Sequence, residues 1–200
     1  MSASKEGLVV RSTAGFIDVL LADGVVQCRM RGRLKNAPRT TDICVIGDQV
    51  RIEEPNDHTR VVVEVLPRKR RFSRRQPGRG PAREDVLIAN LDQLVITFGH
   101  GSPALKRRLL DRFLVIAEHQ QVQALIVMNK SDLAVAGGSD WKELYESLGY
   151  PVLEVSAATN RGLAALQTAL AGKISAFVGP SGVGKSSLIN AIVPGLELET

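Results

Sequence analysis

The sequence has few cysteines, few aromatic residues and no long apolar run, and each shortage excludes a class of protein. Its two cysteines, Cys28 and Cys44, form no CxxC pair, and no cysteine or histidine pair has zinc-ligand spacing. We expect two buried thiols, although the sequence leaves a disulfide between them open. No stretch approaches the ~18 consecutive apolar residues that a membrane span needs. Residues 1–7 lack a secretory signal pattern, and we expect them to be the disordered start of a cytoplasmic protein.

Acidic residues are missing from one short segment. Residues 67–83 contain eight basic and no acidic side chains, whereas residues 1–66 are balanced and residues 84–200 have a small acidic excess. This segment therefore accounts for the net charge of +5. Its three prolines and lack of periodicity predict that residues 67–84 form an irregular basic linker.

Short apolar segments separated by turn residues predict a small β-barrel in residues 8–66. Asp23-Gly24 favours a tight hairpin turn, and Gly47-Asp48 and Pro55–Asp57 are further turn candidates. The predicted strands are Leu8–Arg11, Gly15–Leu21, Val25–Met30, Ile43–Ile46, Gln49–Glu53 and Arg60–Leu66. An OB-fold, which is a five-stranded barrel of this size, is favoured, and an SH3-like barrel is the alternative.

Strands and helices alternate from Asp85 onward, which predicts a parallel sheet in an α/β domain over residues 85–200. Ser102 and Pro103 have the residue types of a helix N-cap and first turn, so a helix is predicted from there to Gln120. The remaining predicted helices are Asp140–Leu148, Leu163–Leu170 and a last one reaching Val193. The predicted strands are Gln93–Phe98, Gln123–Met128, Val152–Val155 and Ile174–Val178.

The segment from Gly179 to Ser186 reads GPSGVGKS and fits the phosphate-binding pattern GxxxxGK[ST]. An apolar strand precedes it and a helical run follows, so glycine-loop amides and a helix N-terminus would both face phosphate. Lys185 would reach the β- and γ-phosphates and Ser186 would ligate Mg²⁺, which makes these two the candidate catalytic residues. The predicted phosphate-binding residues are Gly179, Pro180, Ser181, Gly182, Val183, Gly184, Lys185, Ser186 and Ser187.

The segment Asn129–Asp132 reads NKSD directly after a buried strand and matches the NKxD element of GTPases. The Asp132 carboxylate can accept hydrogen bonds from the ring N–H and the amine of guanine, whereas adenine presents no such pair of donors. Asn129 would tie this loop to the phosphate loop, and the stem of Lys130 would cover the base. Ser156-Ala157 resembles the loop whose backbone N–H supports the guanine oxygen, although Ala158 replaces the usual lysine.

The order of these motifs is reversed, because ordinary GTPases carry the phosphate loop first. No second GxxxxGK[ST] pattern precedes Asn129, so the motifs belong to one circularly permuted domain. This arrangement resembles the ribosome small-subunit-dependent GTPase A family, which joins an OB-fold to a permuted GTPase domain. The resemblance covers nearly the whole chain and includes Gly47-Asp48, Ala89–Gln93 and Leu110–Leu114.

The resemblance implies GTP hydrolysis stimulated by the small ribosomal subunit, and a role in late maturation of that subunit. No DxxG element follows the phosphate loop, and the family's switch regions and zinc-binding domain are missing up to Thr200. We therefore expect an incomplete GTPase domain that holds parts of the nucleotide site but hydrolyses GTP inefficiently. Zinc is expected only in the missing region.

The basic linker and the barrel suggest contact with RNA. Eight positive side chains in a short segment attract a phosphate backbone with little sequence preference. Arg29, Arg31 and Arg33 are a second candidate set. Because Phe16 is the single aromatic residue of the barrel, the sequence favours backbone or shape contact with folded rRNA over base stacking. The expected partner is the small ribosomal subunit, with no membrane contact and a monomeric state.

Two other functions are compatible with these motifs. The first is an RNA-binding assembly module that uses GTP only as a ligand, and a downstream DxxG element would favour the enzyme over it. The second is an ATP-using P-loop protein, for which ATP would compete equally with GTP.

Overall fold

The protein forms two compact units, Met1–Leu91 and Asp92–Thr200. A computed structural model describes residues 4–13, 16–31, 44–56, 59–75, 84–134, 140–193, 195 and 198–199.

The first unit contains a closed five-stranded barrel. Its strands are β1 (Lys5–Thr13), β2 (Phe16–Leu21), β3 (Gly24–Met30), β4 (Gln49–Asn56) and β5 (Thr59–Val65). The order around the barrel is β1-β2-β3-β5-β4, β4 pairs with β1 to close it, and β3 and β5 run parallel. Alternate apolar side chains point inward, including Val9, Ile17, Val19, Val50, Ile52 and Val62. This barrel confirms the predicted OB-fold.

Several details of the barrel differ from the sequence prediction. Strand β1 begins at Lys5, so residues 5–7 are not part of a disordered start, and residues 1–3 lie outside the described ranges. Residues 44–46 lie in a bend and the start of a turn instead of a strand, and the Val45 amide donates to the Asp48 side chain at 2.8 Å; Ile43 lies outside the described ranges. Strand β4 continues through Pro55 and Asn56, where a turn was predicted. Cys28 and Cys44 are buried free thiols, as predicted.

A β-hairpin follows the barrel within the first unit. Its strands β6 (Arg71–Arg75) and β7 (Glu84–Ala89) pair antiparallel, and residues 76–83 between them lie outside the described ranges. The predicted irregular linker over 67–84 therefore contains a strand, and the first unit extends to Leu91, past the predicted boundary at 84. Composition alone misses β6 because its backbone hydrogen bonds come from β7, a partner beyond the basic segment.

The second unit is a four-stranded parallel sheet with helices, which confirms the predicted α/β alternation. The strands are β8 (Gln93–Gly99), β9 (Gln123–Asn129), β10 (Val152–Glu154) and β11 (Ser175–Val178), in the order β10-β9-β8-β11. The helices are α1 (Arg107–His119), α2 (Asp140–Ser147), α3 (Leu163–Leu170) and α4 (Lys185–Ile192), with a 3-10 turn at Ser131–Leu133. Leu166 and Leu188 pack with Val95 and Val127 to form the core of this unit.

Helix α1 begins later than predicted. Its N-cap is Lys106, and Ser102-Pro103 belongs to the preceding loop. The Ser102 carbonyl accepts a hydrogen bond from Lys130 Nζ at 3.1 Å, which holds this segment as a loop. Within the described ranges, every helix is too short or too polar to cross a bilayer.

Candidate functional site

Three of the predicted motifs meet at one edge of the parallel sheet. The glycine-rich loop follows β11, the NKSD segment follows β9, and Ser156-Ala157 comes directly after β10 and Val155. Because the carboxyl ends of parallel strands share an edge, these loops lie side by side where α/β proteins bind their ligands.

Asn129 connects all three loops. Its side-chain amide is 2 % exposed, and its Nδ2 donates to the carbonyls of Val183 at 2.9 Å and Gly184 at 3.4 Å. Its Oδ1 accepts from the Ala157 amide at 3.2 Å. A Cβ on Gly184 would lie 2.5 Å from Asn129 Nδ2, so only glycine fits this close approach. The predicted tie between the NKSD segment and the glycine-rich loop is therefore present.

Lys130 crosses from the NKSD segment to the glycine-rich loop. Its ammonium donates to the Gly182 carbonyl at 2.8 Å and to the Ser102 carbonyl at 3.1 Å. Its backbone adopts a left-handed conformation with φ +59°. The side chain thus crosses from one motif to the other, and two backbone carbonyls hold its ammonium group.

Residues 99–103 form an additional wall that the sequence analysis missed. A Cβ on Gly99 would meet Lys130 Cδ at 3.4 Å, and one on Gly182 would meet Pro103 Cδ at 3.8 Å. The His100 amide also donates to the Asn129 carbonyl at 2.9 Å. Gly99 and Gly101 were the available signal, because the first ends a buried strand at its carboxyl end and the second follows it closely.

Asp132 is held in one orientation by Ser156. The buried Ser156 hydroxyl donates to Asp132 Oδ1 at 2.5 Å and accepts from the Thr159 amide at 3.1 Å. This hydroxyl, together with a backbone hydrogen bond, holds the pKa of Asp132 below its usual value, with smaller contributions from His100 and Lys130. The carboxylate is therefore ionised at neutral pH, and it keeps acceptor positions beyond the one that Ser156 occupies.

The glycine-rich loop has the backbone that phosphate binding requires. Gly179, Gly182 and Gly184 all have positive φ, and a Cβ on Gly179 would lie 2.0 Å from the Thr97 carbonyl oxygen. Helix α4 begins directly after the loop, and its N-cap residue Gly184 makes no side-chain cap. Such a turn followed by a helix N-terminus suits an anion. The residues present therefore fit a phosphate group.

Lys185 and Ser186 occupy the first turn of α4. Lys185 Nζ donates to the carbonyls of Gly179 at 3.0 Å and Pro180 at 2.7 Å, so its charge lies over the loop. Ser186 is the second residue of the helix and is half-buried. A hydroxyl at this position is a hard oxygen ligand of the kind Mg²⁺ accepts.

Buried polar atoms that make no hydrogen bond within the protein lie near the same edge of the sheet. Within the described part of the chain these atoms are Thr97 Oγ1, His100 Nε2 and Ser131 Oγ. His100 Nε2 also lies 3.5 Å from a carboxylate oxygen of Glu154. Unsatisfied buried groups are uncommon in folded proteins, and their concentration here agrees with a functional site.

A cavity of about 610 Å³ lies at the opposite edge of the sheet and contains none of the predicted site residues. The Gln93 side chain there bonds Ala169, Ser175 and Lys173, and Tyr150 donates to Glu118. Because its polar groups bond one another, the chemistry of the carboxyl edge makes that edge the better candidate site.

These loops and this strand order define a class. A phosphate loop, an NKxD segment and a Ser-Ala loop share one edge of a parallel sheet in permuted chain order, which is the arrangement of a circularly permuted P-loop GTPase domain behind an OB-fold. Residues 65–200 match the RsgA GTPase family and residues 6–62 match the RsgA N-terminal domain. The chain therefore belongs to the RsgA GTPase family, which confirms the resemblance inferred from its motifs.

Relatives and solved structures agree with this assignment. A protein named small ribosomal subunit biogenesis GTPase RsgA from Gemmatimonas aurantiaca is 40 % identical over 206 residues, covering 100 % of this chain and 66 % of the relative. A protein of the same name from Caldanaerobacter subterraneus is 34 % identical over 196 residues, covering 98 % of this chain and 62 % of the relative. The chain thus spans slightly less than two thirds of the length of these relatives.

Two solved structures share the fold. YjeQ from Thermotoga maritima superposes with a TM-score of 0.76 at 32 % identity, covering 98 % of this chain and 68 % of that one. YloQ, described as a circularly permuted GTPase, superposes with a TM-score of 0.75 at 32 % identity, covering 96 % of this chain and 65 % of that one.

Proposed function

We propose that this protein binds GTP and GDP and hydrolyses GTP during late maturation of the small ribosomal subunit. The observation that carries the proposal is the position of Asn129, whose side chain joins the glycine-rich loop, the NKSD segment and Ala157. This contact brings a phosphate-binding turn and an oriented carboxylate to one site. The names of the relatives supply the biological context.

Guanine recognition is assigned to the NKSD and Ser-Ala loops. Asp132 accepts from the ring N–H and exocyclic amine of guanine, and Ser156 keeps the carboxylate ionised and oriented. The stem of Lys130 covers the base while its ammonium stays on the Gly182 and Ser102 carbonyls. The Ala157 amide, which donates to Asn129 Oδ1 at 3.2 Å, is also the proposed donor to the guanine oxygen. Adenine offers no donors to the acceptor positions of Asp132 that Ser156 leaves open, so the site selects guanine.

Phosphate binding and catalysis are assigned to residues 179–187. Backbone amides of Gly179 to Ser187 hold the phosphate oxygens, and Lys185 moves from the loop carbonyls to the β- and γ-phosphates. The Ser186 hydroxyl is the proposed Mg²⁺ ligand. When bound, Mg²⁺ offsets negative charge on the β- and γ-phosphates. These residues position the phosphates and stabilise the charge that develops on them.

The partner is proposed to be the small ribosomal subunit and its rRNA. The exposed side chains of Lys69 and Arg71 near the start of the hairpin, together with Arg79 and Arg83 later in the basic segment, would meet the phosphate backbone. We propose a monomer that acts in the cytoplasm. Among the described residues, no cluster of His, Cys, Asp and Glu could hold a metal ion.

The direct test is nucleotide competition together with GTPase assays, with and without small ribosomal subunits. We expect GTP and GDP to displace a labelled guanine nucleotide and ATP to fail. Displacement by ATP at the same concentration would overturn guanine selection. Nucleotide binding without hydrolysis in the presence of subunits, on the full-length protein, would instead support an RNA-binding module that uses GTP as a ligand.

A base-swap variant makes this test specific. Asp132→Asn replaces an acceptor oxygen by an amide donor, and xanthine carries an oxygen where guanine carries its amine. The variant should lose GDP binding by about a hundredfold or more and gain binding of xanthosine diphosphate. Asp140→Asn, at the exposed start of α2, is the control and should leave GDP binding unchanged.

A further inference from the structure

The barrel presents its single aromatic ring to solvent. Phe16 begins β2 and is 43 % exposed, on the outer face that also carries Leu20. Its partner in the β2–β3 register is Arg29, whose guanidinium lies 5.4 Å from the centre of the Phe16 ring. The Arg29 guanidinium thus lies over one face of the Phe16 ring, and the pair forms a cationic and aromatic surface on the outside of the barrel.

A small polar pocket of about 260 Å³ adjoins this surface. Its lining residues include Gln27, Thr59, Arg29 and Arg60, whose side chains carry an amide, a hydroxyl and two guanidinium groups. The Arg60 guanidinium is paired with Glu54 at 2.7 Å, which holds it in place at the rim. Cys28 also contributes to the lining, but burial raises its pKa to about 11, so it brings no negative charge at neutral pH.

We propose that this pocket binds one unpaired nucleotide of RNA. The base stacks on the surface made by Phe16 and Arg29, Gln27 and Thr59 can hydrogen-bond its edge, and Arg60 lies near its phosphate. An aromatic ring beside a guanidinium and neutral hydrogen-bonding groups suits the flat face and polar edge of a base. Only one ring is available, so the site holds a single base from a loop or bulge instead of a stacked run.

This inference rests on the proposed RNA partner but differs from contact with the basic hairpin. Phosphate contacts by Lys69 and Arg71 would release counterions and make binding depend on salt. Stacking of a base on Phe16 releases no counterions, so it adds affinity without changing the salt dependence of binding. It also separates unpaired RNA from duplex RNA, which phosphate contacts alone do not. The single aromatic residue of the barrel, which the sequence argument set aside, thus gains a role from its position.

The test compares Phe16→Ala with Leu20→Ala in the whole chain. The two side chains lie on the same strand and face and are both 43 % exposed, so the variants differ in the ring and its neighbours and not in burial. The probe is a labelled oligoadenylate, with an RNA duplex of equal length as the second ligand. We expect Phe16→Ala to weaken oligoadenylate binding about tenfold, Phe16→Trp to restore it, and Leu20→Ala to have no effect.

Salt titrations complete the test. The slope of log affinity against log salt should be the same for Phe16→Ala and the unmodified chain. Equal affinities for Phe16→Ala and Leu20→Ala, an equal loss on duplex RNA, or a flatter slope would each overturn the proposal. Loss of subunit binding with unchanged oligoadenylate binding would show that the pocket contacts a ribosomal protein, and would overturn it as well.

The proposed GTPase function is tested independently by GDP binding. GDP binding measured on the same variants should be unchanged, because the nucleotide site is built from the second unit alone. A chain that binds no guanine nucleotide but still loses oligoadenylate affinity on Phe16→Ala would refute the GTPase and leave the RNA site standing.

Discussion

A single side chain sets the orientation of Asp132, the carboxylate that we propose recognises guanine. Asp132 is exposed, yet Ser156 holds one of its oxygens with a hydroxyl that is itself buried and held by the Thr159 amide. Because the hydroxyl stabilises the ionised carboxylate, it is the largest cause of the lowered pKa of Asp132. Ser156, which belongs to a motif that is weak in the sequence, thereby orients Asp132, the residue proposed to select guanine.

Removing the Ser156 hydroxyl should raise the pH at which GDP affinity begins to fall on acidification. Asp132 loses its acceptor role when it is protonated, and a lowered pKa preserves that role to lower pH. In Ser156→Ala the pKa of Asp132 rises toward its ordinary value, so GDP affinity should begin to fall at a higher pH than in the unmodified chain. Calorimetric titrations of GDP across acidic pH would measure this shift.

The matched control is Ser147→Ala. The Ser147 hydroxyl donates to the Leu144 carbonyl on the exposed face of α2, away from the site. If GDP affinity fell over the same acidic pH range in Ser156→Ala and Ser147→Ala, the role assigned to Ser156 would be wrong.

A buried ion pair fixes the start of the hairpin to the barrel. Arg68 donates through Nε and a terminal nitrogen to the two carboxylate oxygens of Asp48, at 2.7 and 2.9 Å, and Asp48 is 0 % exposed. Arg68→Ala leaves this carboxylate buried without its cation and should lower the free energy of unfolding by about 3–5 kcal/mol. Denaturant unfolding followed by circular dichroism would measure the loss.

Arg71→Ala is the comparison for this prediction. Arg71 is exposed at the start of β6, so its removal should change the free energy of unfolding by no more than about 0.5 kcal/mol. Similar losses in the two variants would mean that the Asp48 pair adds no stability of its own.

At the scale of elements, the loop 99–103 sets the position of Lys130. It supplies the Ser102 carbonyl that accepts from Lys130 Nζ, and Gly101 within it has φ +79°. Gly101→Ala would strain this backbone by about 1 kcal/mol and displace the acceptor. We expect GDP binding to weaken about threefold to tenfold, as measured by calorimetry, because a hydrogen bond to a charged group is loosened.

Gly149→Ala is the control for backbone strain. Gly149 has φ +88°, and a Cβ there would meet nothing within 4 Å, so the substitution strains a loop that does not contact Lys130. Both variants should lose similar stability, and only Gly101→Ala should lose GDP affinity. Equal GDP affinities in Gly101→Ala and Gly149→Ala would show that the loop 99–103 does not contribute to GDP binding.

The hairpin β6–β7 divides the basic residues into different roles. Arg68 is used inside the first unit, where its side chain pairs with the buried Asp48. Lys69 and Arg71 are exposed by contrast. The eight positive charges of the segment are therefore not equivalent toward RNA.

Replacing Lys69 and Arg71 together by alanine should weaken binding to small ribosomal subunits. If each side chain contacts one phosphate, the slope of log affinity against log salt should flatten by about two. Filter binding across a salt series would measure it. The double replacement of Arg107 and Arg108, exposed on α1, removes the same charge and should leave the slope unchanged.

At the scale of the whole molecule, the nucleotide site and the barrel belong to different compact units. Each unit has its own apolar core, one around Val9 and Ile52 and the other around Val95 and Leu166. A ligand that contacts only the second unit stabilises that unit first, because binding stabilises the structure that makes the contacts.

Hydrogen exchange would show this division. GDP should slow amide exchange in residues 129–132, 156–157 and 179–187. The barrel strands β1 to β5 should exchange at the same rate with and without GDP. Equal protection of the barrel by GDP would show that the site recruits the first unit.

Short sequence motifs predict most of the candidate nucleotide site. Residues 179–186 and 129–132 could be recognised because each packs its chemistry into a few adjacent positions, and their order along the chain implied the permutation. The tie made by Asn129 could be predicted because its partners Val183 and Ala157 lie in the other motifs. Helix α3 matched its predicted bounds because its apolar spacing is regular and its start follows Gly162.

Other features depended on residues far apart in the chain. The start of α1 was misplaced because Ser102 is held by Lys130, a contact across 28 positions, which outweighs a favourable capping sequence. Strand β6 was read as linker because its partner β7 begins beyond the basic segment. The wall at 99–103 was missed because glycine and proline carry no chemistry of their own.

The sequence by itself therefore determined the kind of protein, since phosphate and guanine recognition depend on short motifs whose residue types and order are specific. Tertiary structure alone decided how the hairpin is tied to Asp48, which loop holds Lys130, and that Phe16 faces outward beside Arg29. The physical reason is that hydrogen bonds, ion pairs and exposure arise between residues that only folding brings together.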